Sequence, residues 1–211
     1  AADLGSCKVL VVGALTKKSE GKEIAGIASM LGGGIVAVSD DGACVQEARL
    51  KFNALKYASG FGIPIIVHSE DYSLAGRGQI NSGKVATQLG LSGIPGLAEE
   101  VMIARDIMFA EKTRCRLHIA HISTARSIEM VRWAQRQGVS ITAEVTPHHL
   151  LLTEEACIGF DTNTKVKPPL RTEADRRACL EALKEGVIGF IATDHAPHAD
   201  YEKDREFLLA P

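Results

Sequence analysis

The sequence predicts an α/β fold, a TIM-like (β/α)8 barrel that is incomplete in this chain, with about six βα units. Three observations predict it. Apolar, β-branched runs alternate with helical patterns, which argues for a parallel sheet with helices outside. Acidic and imidazole side chains follow nearly every run, as they do on the carboxyl rim of a barrel. An open doubly wound sheet would instead gather its ligands at one switch point. The 211 residues are enough to bury a core, but an eight-unit barrel typically takes about 250. The chain is read as one barrel domain over 1–211.

The elements follow in order. Strands are expected at Lys8–Val12, Gly34–Ser39, Pro64–Val67, Arg116–Ala120, Ser140–Val145 and Val187–Thr193, each an apolar run. Helices are expected between them. Ile24–Leu31 is short. Cys44–Tyr57 carries Val45, Ala48 and Leu55. Gly96–Phe109 carries Leu97, Val101, Ala104 and Met108 at helical spacing, and Ser123–Gln137 carries Ile128, Val131 and Ala134. Thr172–Lys184 opens on a threonine with acids in the following turn, a start signal. The glycine-rich connection Ser69–Gly96 is too long for a routine loop, and its position after His68 places it near the rim.

The bulk properties exclude several classes. Net charge is -2, and no Lys/Arg run exceeds Lys17-Lys18 or Arg176-Arg177, so nothing points to nucleic acid. No apolar stretch is long enough to span a bilayer, and no signal-peptide pattern appears at Ala1. Cys7, Cys44, Cys115, Cys157 and Cys179 are dispersed, with no CxxC pair. They read as reduced, mostly buried thiols of a cytoplasmic protein.

The strand ends carry the chemistry. Val36–Ser39 leads to Asp40, Asp41 and Gly42; Ile65–Val67 leads to His68, Ser69, Glu70 and Asp71. Leu117–Ala120 leads to His121, Ala143–Thr146 to His148 and His149, and Phe190–Thr193 to Asp194 and His195. Two histidines and two aspartates from four different strand ends make a mixed N/O site for zinc or a similar divalent ion. Such an ion makes water acidic near pH 7 and polarises a carbonyl, and a neighbouring carboxylate shuttles the proton. Each residue has a plainer reading. A lone rim histidine is more often hydrogen-bonded than a ligand, Asp40-Asp41-Gly42 also suits a turn and helix cap, and His118, inside its strand, is expected to bond locally. No Gly-x-Ser-x-Gly elbow occurs, which argues against serine chemistry.

At these residues the sequence resembles the amidohydrolase superfamily, and more closely dihydroorotases of the bacterial class I type. The pieces are Ser39-Asp-Asp-Gly42, Val67-His-Ser-Glu-Asp71, His118-Ile-Ala-His-Ile-Ser123, Glu144-Val-Thr-Pro-His-His-Leu150, Lys165-Val-Lys-Pro-Pro-Leu-Arg171 and Thr193-Asp-His-Ala-Pro-His198. The resemblance runs along essentially the whole chain and implies a metal-dependent hydrolase barrel. It implies that Asp41 bridges two metal ions, that His68 and His121 ligate the more exposed one, and that Asp194 ligates the buried one and serves as catalytic base and acid. His198 and Lys167 take substrate-binding places. The implied cofactor is Zn2+. The implied reaction is the reversible cyclisation of N-carbamoyl-L-aspartate to L-dihydroorotate in pyrimidine synthesis.

Three departures shape the expectations. The family opens with a His-x-His strand, yet no histidine precedes Asp41. A substrate-touching Phe-Gly pair would follow Pro211. Lys167 stands where the family has a substrate-contacting asparagine. The chain is therefore expected to be an internal piece, truncated at both ends. Two other readings stay open: a non-catalytic scaffold partner of aspartate carbamoyltransferase, and a related cyclic amidase acting on hydantoin or allantoin. The Asp-Asp-Gly motif argues against the latter, whose members bridge their metals with a carboxylated lysine. Homo-oligomerisation is left open.

Overall fold

The computed structural model describes residues 8–211. Eight strands follow along the described residues: β1 (Val11–Ala14), β2 (Ile35–Ser39), β3 (Pro64–Val67), β4 (Ile80–Asn81), β5 (Gly93–Ile94), β6 (Arg116–Ile119), β7 (Ile141–Val145) and β8 (Phe190–Ile191). Six of them form one parallel sheet in the order β1-β2-β3-β6-β7-β8, and β4 pairs with β5 in a separate parallel ribbon. The helices are α1 (Ile27–Gly32), α2 (Ala48–Ser59), α3 (Tyr72–Ala75), α4 (Lys84–Leu89), α5 (Leu97–Thr113), α6 (Ala125–Arg136), α7 (Pro147–Leu151), α8 (Glu173–Lys184) and α9 (Asp200–Lys203).

Strand alternation separates the two faces of the sheet. Ile65, Leu117 and Ile141 lie in one registered row, with Val67, Ile119 and Ala143 in the next. These rows are buried against Leu55 of α2, Ile103 and Ile107 of α5, Ile128 and Val131 of α6, and Cys179 and Ala182 of α8. Ile66, His118 and Thr142 are register partners on the opposite face. There His118 bonds Thr142 Oγ1 at 2.7 Å and Glu144 Oε2 at 2.9 Å, the local bonding its in-strand position suggests. This is the half-barrel interior. Because every strand is parallel, all carboxyl ends share one rim.

Local sequence sets the helix starts. The Glu47 carboxylate accepts from the N–H groups of Arg49 and Leu50 and caps α2. Thr124 caps α6. Thr172 and Asp175 form a reciprocal capping box on α8, where the sequence places the start.

Two expectations differ from the structure. The first strand sits at Val11–Ala14 rather than 8–12, because Gly13 and Ala14 pair with Val38 and Ser39 of β2. A Cβ at Gly13 would meet the Ile35 side chain at 2.9 Å, so the glycine that looks like a strand end is what lets this crowded pairing form. The Val187–Thr193 run is not one buried strand. The N–H groups of Val187 and Ile188 both bond the Ala182 carbonyl and close α8. Only Phe190 and Ile191 join the sheet, both exposed. The connection Ser69–Gly96 is folded, holding α3, α4 and the β4–β5 ribbon. Its glycines permit close backbone approach: a Cβ at Gly93 would meet Ser82 Cα at 2.4 Å.

Cys44, Cys115, Cys157 and Cys179 are free and buried, and Cys7 lies outside the described residues. The expectation about a leader at Ala1 also falls outside them. No helix among the described residues is long and apolar enough to cross a membrane.

Candidate metal centre

The turn after β2 divides two adjacent aspartates between two jobs. Asp40 is buried. Its Oδ1 accepts from the N–H of Leu15 and Thr16 at 2.9 Å, and its Oδ2 from the Thr16 hydroxyl. Asp40 therefore clamps β1 to β2. Asp41 turns the other way and faces the rim. His68 follows β3, and His121 follows β6 with φ 35, a left-handed backbone that turns its ring inward.

These three side chains converge. His121 Nε2 lies 3.1 Å from His68 Nδ1 and 3.3 Å from Asp41 Oδ1, and His68 Nδ1 lies 3.5 Å from Asp41 Oδ1. Their ligand atoms all fall within 4.8 Å of one another, forming a group able to hold a metal ion. The electrostatics agree. The His121 hydrogen bond holds the Asp41 carboxyl below its ordinary value, against the opposing effect of burial. Burial alone would push His121 down. Its bond to Asp41 and the charges of Asp41, Asp194 and Glu99 outweigh that and raise it. His121 Nδ1 is buried with no hydrogen-bond partner, so the ring's only engaged atom is the one in the cluster. Two imidazole nitrogens and a carboxylate oxygen are a donor set that fits a divalent ion.

Around this group lie residues that sequence reasoning left without a role. Glu70 is buried, and its Oε2 is 3.3 Å from His68 Nε2. Burial would raise the Glu70 carboxyl, but His68 and Lys167 overcome it and hold it low. Gln46 donates to the Glu70 carbonyl and accepts from the Tyr72 N–H, both at 2.9 Å, tying the Asp41 loop to the His68 loop. Glu99 accepts from the N–H groups of Ser123 and Thr124 at 3.1 and 3.2 Å and fixes the turn beyond His121. An acid two residues past a histidine was the one legible signal for Glu70. The others are legible only once the loops are folded.

The remaining predicted residues divide. Lys167 reaches the rim and donates to Glu70 Oε1 at 3.1 Å. Asp194 follows β8 with φ 50, is exposed, and lies outside the three-residue group. Its charge still acts on His121 and His148. His198 is exposed, and its ring pairs with Glu202 at 3.5 Å, away from the group. His149 is buried between Thr146 Oγ1 at 2.7 Å and the Pro168 carbonyl at 3.1 Å. Burial pushes it down to about 3, so it is a neutral structural residue.

A sequence profile described as Dihydro-orotase-like matches residues 3–127. This chain belongs to that family. Among its relatives, the dihydroorotase of Pelotomaculum thermopropionicum is 52% identical over 207 residues, 98% of this chain and 48% of that protein. The dihydroorotase of Caldicellulosiruptor saccharolyticus is 51% identical over 210 residues, 100% of this chain and 49% of that protein. The chain thus spans about half the length of the curated dihydroorotases it matches. Solved structures share the fold. An L-hydantoinase from Arthrobacter aurescens superposes with TM-score 0.76 at 22% identity, covering 92% of this chain and 45% of that one. Dihydroorotase from Saccharomyces cerevisiae, solved with 5-fluoroorotic acid, gives 0.67 at 19% identity, covering 95% and 56%. The six-stranded parallel sheet is therefore the family's α/β barrel architecture, present in part.

Proposed function

We propose that this chain is part of the catalytic barrel of a dihydroorotase, a metal-dependent enzyme that reversibly cyclises N-carbamoyl-L-aspartate to L-dihydroorotate. The observation that carries the reading is the convergence of Asp41, His68 and His121 at three strand ends, in a chain about half identical to dihydroorotases. A divalent ion held there, zinc in this reading, would supply a Lewis acid for the reacting carbonyl and for water ionising near pH 7.

The chain's own residues do the rest. Asp41, His68 and His121 would hold the ion. In the hydrolytic direction water adds to the ring amide carbonyl, the C–N bond breaks, and the nitrogen takes a proton. Asp194 takes the proton from water and returns it to the nitrogen. His198 grips the substrate carboxylate, which requires the exposed 192–199 segment to bring it inward. A single barrel domain, a place in pyrimidine synthesis and a cytoplasmic setting belong to the same reading. Association with aspartate carbamoyltransferase, or with further copies, rests on the sequence resemblance alone.

The test is cyclisation of carbamoyl aspartate by the full-length protein. The zinc-loaded wild type is expected to turn over. Asp194→Asn is expected to lose about 10²-fold or more while keeping zinc at Asp41, His68 and His121. Full turnover by Asp194→Asn removes its assigned role, and a zinc-loaded wild type without turnover removes the reading.

A further inference from the structure

A relay of two charged residues stands behind His68. Glu70 lies two residues beyond it and is buried, with Oε2 facing His68 Nε2 at 3.3 Å. The other carboxylate oxygen, Oε1, accepts from Lys167 Nζ at 3.1 Å. Lys167 comes from 97 residues further along, on the segment whose next residue, Pro168, bonds buried His149. The second His68 nitrogen, Nδ1, faces His121 and Asp41.

The chemistry of the groups orders these contacts. An ionised carboxylate only accepts, so the His68 proton belongs on Nε2, and the Nδ1 lone pair is left for the cluster. A carboxylate behind a ligating histidine fixes its tautomer and its ring orientation. Glu70 itself needs fixing, because a buried carboxylate is costly unless paired. Lys167 supplies the pair. An asparagine at this position would bring no charge to it.

We propose that Lys167 is a positioning residue for His68. Acting through Glu70, it locks the imidazole in the Nε2–H tautomer and aims Nδ1 at the Asp41–His121 pair. This departs from the expectation that Lys167 grips substrate, since its ammonium is committed to Glu70. The inference rests on the reading that Asp41, His68 and His121 hold a divalent ion.

The experiment uses the full-length protein and the variants Lys167→Met, Lys167→Arg and Glu70→Gln. Zinc affinity is read by competition with a chromogenic chelator. Ring 15N shifts are read on the ion-free protein. Glu70→Gln is expected to weaken zinc binding about 10–100-fold, and Lys167→Met up to about tenfold, with Lys167→Arg recovering most of the loss. Ion-free wild type is expected to show His68 as Nε2–H, and Lys167→Met a mixture of tautomers. KM for carbamoyl aspartate in zinc-loaded Lys167→Met should stay within about twofold. Unchanged zinc affinity and tautomer, with KM raised about tenfold, would instead make Lys167 a substrate grip and overturn the proposal. If Glu70→Gln fails to fold, the Lys167 variants decide, because that side chain is 60% exposed. A wild type that binds no zinc overturns the metal reading itself, and the ion-free ring spectra separate that failure from this one.

Discussion

His68 Nδ1 and His121 Nε2, 53 residues apart in sequence, lie 3.1 Å from each other, and their rings meet edge-to-face at 76°. The contact follows from the sheet. Val67 and Ile119 are register partners on adjacent parallel strands, so the residues just beyond them emerge side by side. Asp41 arrives from the neighbouring strand on the other side of β3. No long loop is needed to assemble the group.

Ion binding at this group is expected to stabilise the fold. Zinc at 100 times its Kd should add about 2.7 kcal/mol to unfolding of the full-length protein. His121→Ala removes one of three donors and should abolish most of that gain. Calorimetry with and without zinc measures it, and an equal gain in the variant would place the ion elsewhere.

His149 sets a pH dependence of its own. Its folded-state value is depressed to about 3 by burial, against about 6.5 when unfolded. The unfolded chain therefore takes up a proton as pH falls through 6.5, while the folded chain cannot until near 3. Stability is lost across that window, by up to about 2.7 kcal/mol between pH 7 and 4.5 from this group alone. His149→Gln keeps a polar group beside Thr146 and the Pro168 carbonyl but does not titrate. Urea unfolding at both pH values should show a shallower loss in the variant, and parallel losses would refute the assignment.

What the sequence discloses and conceals follows from range. His68 and His121 are legible because each ends an apolar run. Parallel strands put such ends on one rim whatever the connections do. Asp40 and Asp41 are indistinguishable as letters. Their division depends on Thr16, whose N–H and hydroxyl capture Asp40 from 24 residues away. Lys167 is legible as a place on the rim and Glu70 as an acid beside His68, but that they pair is not, because the contact spans 97 residues. The short β8 is misread for a local reason. The Val187–Ile188 pair is as apolar as a strand, but the end of α8 claims its N–H groups first.

A buried ion pair joins α2 to α5. Lys51 Nζ lies 3.4 Å from Asp106 Oδ2, and both side chains are almost wholly buried. Arg105 donates to the other Asp106 oxygen at 2.9 Å. Asp106→Ala should cost about 3–5 kcal/mol by leaving a charged lysine buried without its partner. The double variant Lys51→Met/Asp106→Leu replaces the pair with apolar groups and should recover most of that loss. Denaturant unfolding of the three proteins tests it. If the double variant is no more stable than Asp106→Ala, the ion pair is not the source of the cost.

Arg171 is the hinge pin of the rim. Its Nε donates to Ser123 Oγ at 3.0 Å, its Nη1 to Asn81 Oδ1 at 2.9 Å and the Ile94 carbonyl at 3.0 Å, and its Nη2 lies 3.7 Å from Glu99. Those partners belong to the β4–β5 ribbon, to α5 and to the turn after His121. One planar cation thus holds three separate segments, and Asn81 passes the network on to Glu154. A lysine cannot reproduce that fork, so Arg171→Lys should lose at least two charged hydrogen bonds and about 2–4 kcal/mol. The loss should be local before it is global. The amides of Ser123 and Thr124, which donate to Glu99, should exchange with solvent faster than those of β7 in the variant. In Asp106→Ala, which loses the Lys51 contact two helical turns beyond Glu99 on α5, exchange at the same two amides should keep its wild-type order relative to β7. Equal patterns in the two variants would mean that Arg171 contributes bulk stability and does not organise the turn that carries His121.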